Sequence, residues 1–217
     1  MPIGMKIPRR EFSAVLLAGG ASARMGQPKA TLRFGGVTLL ERIVNELSRE
    51  FAQVVIVAAP EKQEPFVIRQ LLPEAGDFVI VRDDGAYKGP VEALARGLRA
   101  AASDPAFACS CDLPLLRADV ARALCLMLDG YDAVIPEVGG LLQPLHATYR
   151  RRCADVLAAM AAGGERRLTA LASRVAVRRV GEAELRRLDP ELRSVFNVNT
   201  PADYAQALRL AGFAREP

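Results

Sequence analysis

Short apolar runs alternate with amphipathic stretches along most of the chain. Residues 13–18 (Ser-Ala-Val-Leu-Leu-Ala) are almost uniformly apolar and stop at Gly19-Gly20, which predicts a buried strand. Leu39, Leu40, Ile43, Val44 and Leu47 recur at helical spacing behind Thr38, so residues 38–50 read as an amphipathic helix with Thr38 at its N-cap. Residues 53–59 predict a second buried strand closed by Pro60, followed by a helix over 62–72 and a third strand over 77–81. Gly89-Pro90 opens a helix over 91–102, with Pro90 suited to its first turn. A fourth strand is expected over 106–111, a helix over 118–128 and a fifth strand over 131–136.

After Pro136 the pattern changes. Residues 137–140 end in two glycines and read as a hairpin tip, with 141–148 returning as a strand antiparallel to its neighbours. A helix over 149–162 ends at Gly163-Gly164; a short helix over 166–173, an edge strand over 175–180 and another short helix over 182–188 follow. Thr200 caps a last helix over 201–210. Repeated strand–helix units imply an α/β fold: a single three-layer, doubly wound, mostly parallel sheet with helices on both faces and an antiparallel hairpin in the second half. No repeat, low-complexity tract or linker interrupts the chain, so residues 1–217 read as one domain.

In such sheets ligands bind beyond the carboxyl ends of the strands, where strand order reverses. Three chemical features fall there. The first is the loop after residues 13–18, Gly19-Gly20-Ala21-Ser22-Ala23-Arg24-Met25-Gly26-Gln27-Pro28-Lys29. Its glycines allow positive φ and close backbone approach to a ligand, while Arg24 and Lys29 add positive charge. Such a loop suits an anion, and Leu17, Ala18, Gly19, Gly20, Ser22, Gly26 and Lys29 are read as binding a nucleoside triphosphate. The spacing fits neither Gly-x-x-x-x-Gly-Lys-Ser/Thr nor Gly-x-Gly-x-x-Gly. The second feature is Asp112, which follows the apolar run 106–111 and precedes Leu113-Pro114; a poorly exposed carboxylate there suits Mg²⁺, and its plainer role is an N-cap. The third is Asp83, in the turn after the third strand.

The run Leu-Ala-Gly-Gly-x-Ser-x-Arg-Met-Gly-x-x-Lys resembles the signature of MobA-like nucleotidyltransferases, and among these it is most similar to the molybdenum cofactor guanylyltransferases. Cys111-Asp112-Leu113-Pro114 matches the family's metal-binding position. The resemblance places Asp83 beside the ribose or metal and Gly89 near the nucleotide. It assigns Arg166, Arg167, Asn197 and Asn199 to the acceptor, with Lys29, Arg24 and Asp112 as the catalytic set. It implies GTP, Mg²⁺ and a molybdopterin-type phosphorylated acceptor, with molybdoenzymes or other cofactor-pathway proteins as partners. Residues 13–136 then form the nucleotide-binding half and 137–217 the acceptor-binding half. Two departures stand out. Ala93 replaces a family glycine, and Ala58 or Ala59 stands where the family carries a guanine-reading Asn, which leaves open CTP or a different acceptor. A non-catalytic nucleotide-binding protein is the reading of another class.

Composition narrows the partners. The net charge is +4 and aromatics make up 6%, with no Trp, which gives little for stacking nucleic-acid bases; a phosphorylated small molecule fits better. No apolar run approaches a membrane span or a signal-peptide core, so a cytoplasmic location is expected. Cys109, Cys111, Cys125 and Cys153 lack Cys-x-x-Cys spacing and, with one histidine in the chain, read as small buried hydrophobes. That histidine, His146, is expected to be structural rather than catalytic.

Overall fold

Strand β1 (Ser13–Leu17) is buried along its whole length and lies inside one mixed sheet. The computed structural model describes residues 11–19, 28–60, 68–72, 77–82 and 89–213. In chain order the elements are β1, the small hairpin β2 (Arg33–Phe34) and β3 (Val37–Thr38), α1 (Leu39–Leu47), β4 (Gln53–Ala58), β5 (Phe78–Arg82), α2 (Pro90–Ala100), β6 (Ala106–Ser110), α3 (Ala118–Leu126) and β7 (Ala133–Val138). They continue with β8 (Leu141–Leu142), β9 (His146–Tyr149), α4 (Cys153–Ala162), β10 (Val177–Gly181), α5 (Glu182–Leu185) and α6 (Pro201–Leu210).

Among the described residues the main sheet runs β5-β4-β1-β6-β9-β7-β10, with β8 paired to β7. The contacts β5–β4, β4–β1, β1–β6 and β7–β10 are parallel, whereas β9 runs antiparallel to both β6 and β7. The chain therefore builds outward from β1 through β4 to β5 and then returns to place β6 on the other side of β1. Strand order reverses between β1 and β6, where Leu17 pairs with Ser110.

Side chains alternate across the strands and create two apolar layers. Ala14, Leu16, Val54, Ile56, Phe107, Cys109 and Cys111 face α1 and α3. Val15, Leu17, Val55, Val57, Ala106 and Ala108 face α2 and α4. Helix α2 comes so near the sheet that a Cβ on Gly97 would stand 2.3 Å from Val15 Cγ1. A third cluster joins the β2–β3 hairpin to α6 through Phe34, Leu39, Val198, Ala207 and Leu208. The expected caps are present: Thr38 Oγ1 accepts from the Glu41 N–H, and Thr200 with Asp203 forms a full capping box on α6.

Four expected elements differ. The returning strand 141–148 is split into β8 and β9, because Pro144 has no N–H for a ladder and the chain turns there, the His146 N–H donating to the Gln143 carbonyl at 3.0 Å. The helix expected from residue 149 begins at Cys153, since the Tyr149 backbone is used in β9 against Ala106 and Ala133. Over 166–173 only Leu168–Ser173 is helical, as a 3₁₀ segment. Of the helix expected over 62–72, a 3₁₀ turn, Ile68–Leu71, is described; residues 61–67 lie outside the described residues.

Candidate active site at the strand switch point

The carboxyl ends of β1 and β6 meet where the sheet reverses direction. Past β1, the Ala18 N–H donates to the Val57 carbonyl of β4 at 2.8 Å, and past β6 the Cys111 N–H donates to the Leu17 carbonyl at 3.3 Å. These bonds hold the chain of Leu17, Ala18 and Gly19 beside that of Asp112. Gly19 does not take up the positive φ expected of it. Its small size is needed for another reason: a Cβ there would stand 3.3 Å from the Ala59 backbone nitrogen. Gly20, Ser22, Arg24 and Gly26 of the expected loop, and Asp83, lie outside the described residues.

Lys29 and Asp112 come together. Lys29 opens a short 3₁₀ turn (Lys29–Thr31), and its Nζ lies 3.0 Å from Asp112 Oδ2, with each side chain about one-fifth exposed. The same Nζ donates to Asn199 Oδ1 at 2.8 Å. Asp112 Oδ1 accepts the Ser110 hydroxyl. The Asp112 main-chain carbonyl accepts the Val198 N–H at 2.8 Å. Asp112 thus takes side-chain donors from two directions, while its backbone is tied to the segment that carries Asn199.

Asn199 is itself held from behind. Its N–H donates to Asp203 Oδ2 at 3.0 Å, and the Thr200 N–H reaches the same oxygen at 2.8 Å. The bond from the Asn199 backbone is the chief cause that holds the Asp203 carboxyl below the usual carboxylate range, helped by Thr200 and, more remotely, by Lys29. Asn197 points elsewhere, its amide donating to the Val195 carbonyl at 3.3 Å.

Gly89 is buried at the N-cap of α2 with φ 101°. Arg166 stands over it: its Cβ and Nη1 are each 3.9 Å from where a Gly89 Cβ would be. The structure brings Arg166 to the helix start that carries Gly89, joining the two halves of the chain there. Arg167 turns away to Glu165, whose carboxyl is held down at about 2 by this pairing and by backbone donors.

The remaining candidates are structural. His146 is buried against Phe107 in an edge-to-face contact, with Nε2 3.4 Å from Ser194 Oγ. Burial pushes its pKa down to about 3, so it remains neutral. Burial also raises the thiols of Cys109 and Cys111 well above their ordinary range, which leaves them protonated and unreactive.

Comparison with known proteins gives the family. Residues 14–180 match the family model of the MobA-like NTP transferase domain. The chain belongs to this family. A probable molybdenum cofactor guanylyltransferase of Methanosarcina acetivorans is 33% identical over 198 residues, covering 88% of this chain and 87% of the relative. Among solved structures, molybdopterin-guanine dinucleotide biosynthesis protein A from Archaeoglobus fulgidus superposes with a TM-score of 0.79 at 27% identity, over 93% of this chain and 99% of that one. A 2-C-methyl-D-erythritol 4-phosphate cytidylyltransferase from Thermus thermophilus shares the fold, with a TM-score of 0.63 at 21% identity over 93% and 98% of the two chains. As a MobA-like NTP transferase, the chain is a nucleotidyltransferase.

Two residues of the site were not singled out from the sequence. Ser110 sits at the end of an apolar run, and the one local sign of its role is its place two residues before an aspartate. Asp203 was missed although Thr-x-x-Asp is a capping-box spacing, and it is the group that anchors Asn199.

Proposed function

We propose that this protein transfers GMP from GTP to the terminal phosphate of a molybdopterin-type acceptor, with Mg²⁺ and with release of pyrophosphate. One observation carries the reading: Lys29, Asp112 and Asn199 converge at the strand switch point, a cation with a carboxylate and an amide oxygen each within hydrogen-bond distance of it. The names of the relatives support the choice of nucleotide and acceptor.

The donor set fits magnesium. Mg²⁺ binds through one or two carboxylates and keeps phosphate oxygens and water as its other ligands, so a dedicated acidic cage is not required. Among the described residues no three His, Cys, Asp or Glu side chains gather, and Asp112, partly exposed at the strand switch point, supplies the one carboxylate such a site needs. Asp112 would hold the ion, with the Asn199 amide oxygen beside it. The metal supplies charge neutralisation on the phosphates.

In the reaction an oxygen of the acceptor's terminal phosphate forms a bond to the α-phosphorus of GTP. The bond from that phosphorus to the bridging oxygen breaks, and the electron pair leaves with pyrophosphate. Such a transfer asks the protein for alignment and charge stabilisation rather than covalent chemistry. Lys29, with Leu17, Ala18 and the loop residues Gly19, Gly20, Ser22, Arg24 and Gly26, takes the triphosphate. Gly89 and Asp83 take the nucleoside side, and Arg166, which stands over Gly89, takes the acceptor. The nucleotide half is 13–136 and the acceptor half 137–217. We place the reaction in the cytoplasm, in keeping with four buried, unpaired cysteines.

A specific observation keeps CTP as a second reading. Ala58 is buried in β4, and the Ala59 carbonyl accepts from Arg82 Nη1 at 3.2 Å, so neither alanine offers a side chain to read guanine. Pyrophosphate release with each of the four NTPs and a molybdopterin source decides between them. Release with GTP is expected; release with CTP alone would overturn the guanine assignment, and nucleotide binding without release from any NTP would overturn the enzyme.

A further inference from the structure

Asp112 has three oxygens, and each is engaged by a different part of the chain. Its carbonyl takes the Val198 N–H, Oδ2 takes the Lys29 ammonium and Oδ1 takes the Ser110 hydroxyl. The backbone is further fixed by the Cys111 N–H on the Leu17 carbonyl, so what remains free is rotation of the carboxylate about its own side-chain bonds. Two donors on separate oxygens stop that rotation.

The two donors differ in character. Lys29 is a long, flexible cation whose function is to meet phosphate oxygens, and its ammonium is strongly hydrated. Ser110 is short, sits on β6 and is paired in register with Leu17. Its neighbours in the strand, Ala106, Phe107, Ala108 and Cys109, are buried, and Ser110 itself is half-buried at the strand's end. Its hydrogen-bond partner is the carboxylate two residues on, in the turn past β6. When Lys29 engages a triphosphate, Ser110 is the donor that stays with Asp112.

We propose that Ser110 is a positioning residue: its hydroxyl pins Oδ1 of Asp112, so that Oδ2 is the oxygen turned toward the cation that accompanies the nucleotide. The inference rests on the reading of Asp112 as the magnesium-holding carboxylate. Groups that hold a metal ligand from behind change metal affinity by about 10- to 100-fold when removed.

The test is the metal dependence of nucleotide binding by the full chain. Affinity is titrated with MgCl₂ and with EDTA, GTP and CTP in parallel, and the tighter nucleotide is used for the variants. The parent chain should bind more tightly with magnesium. Ser110→Ala should lose roughly 10-fold of that enhancement while its affinity in EDTA and its melting temperature stay at parent values, and Ser110→Thr, which keeps the hydroxyl, should restore the enhancement. Asp112→Asn separates the inference from the reading beneath it. If Asp112→Asn loses the enhancement and Ser110→Ala keeps it, Ser110 has no positioning role and Asp112 retains its own. If Asp112→Asn keeps the enhancement, the magnesium assignment fails and the Ser110 proposal with it. An equal loss in EDTA and in magnesium for Ser110→Ala would mean a general structural effect and would also overturn the proposal.

Discussion

The Lys29 ammonium donates to the Asn199 side-chain oxygen at 2.8 Å, joining residues 170 positions apart at the same point where Lys29 meets Asp112. The first loop of the chain and the segment before its last helix thus meet over one carboxylate.

Asp112→Asn removes the carboxylate charge with little change in shape. Turnover should fall by at least about 100-fold, a loss of the size seen when one preorganised charge-stabilising group is deleted. The far-UV circular dichroism spectrum should be unchanged, because the side chain is partly exposed and belongs to neither apolar layer. Pyrophosphate release and the spectrum, measured on one preparation, check both halves.

Lys29→Ala should move two affinities in opposite directions. Charge-assisted hydrogen bonds contribute about 1.5–3 kcal/mol, so triphosphate binding should weaken by roughly 10- to 100-fold. Lys29 also covers Asp112 Oδ2. Its removal should therefore raise the affinity of the nucleotide-free chain for Mn²⁺, read from the paramagnetic resonance signal of the free ion. Loss of both affinities would contradict the pairing.

The α6 capping box should carry both stability and acid sensitivity. Thr200→Ala should cost about 1 kcal/mol in urea unfolding, the usual size of a lost N-cap. The Asp203 carboxyl has its folded pKa lowered, chiefly by the Asn199 backbone. Its stabilising contribution is therefore present above the ordinary carboxylate pKa and lost as pH falls through the lowered value. Asp203→Asn should flatten that acid-side decline and loosen the amide exchange of Asn199.

His146 should shape stability without shaping catalysis. Its folded pKa is depressed to about 3 by burial, whereas the unfolded chain takes up the proton near 6.5. Stability is therefore full above pH 6.5 and declines as pH falls toward 3, with a slope approaching about 1.4 kcal/mol per pH unit. His146 is the only histidine in the chain, and ordinary carboxylates titrate below pH 5, so the window from 6.5 to 5 isolates it. In His146→Gln that slope should vanish, while the pH profile of turnover keeps its form.

Gly97→Ala should lower the melting temperature with the site untouched. The added Cβ would meet Val15 Cγ1 at 2.3 Å and Val57 Cγ2 at 3.0 Å, on side chains locked between α2 and the sheet. Overpacking of this kind costs about 1–3 kcal/mol.

The local elements and the kinds of chemistry they carry are written in neighbouring residues. The apolar run of β1, the spacing in α1, and Thr38 and Thr200 as caps were legible because each depends on residues within one or two turns. So was the α/β class, since alternation of periods needs no knowledge of partners. The two-part return of the hairpin was not, because Pro144 only matters once β9 has been inserted between β6 and β7. Gly19 read as a conformational glycine, yet what it avoids is the Ala59 backbone of another strand. That Lys29, Asp112, Ser110 and Asn199 form one cluster, and that Arg166 stands over Gly89, emerges with the folded arrangement of the strands. The order of strands sets which loops become neighbours, and that order follows from how two apolar faces of the sheet are covered at once, a condition no local stretch contains.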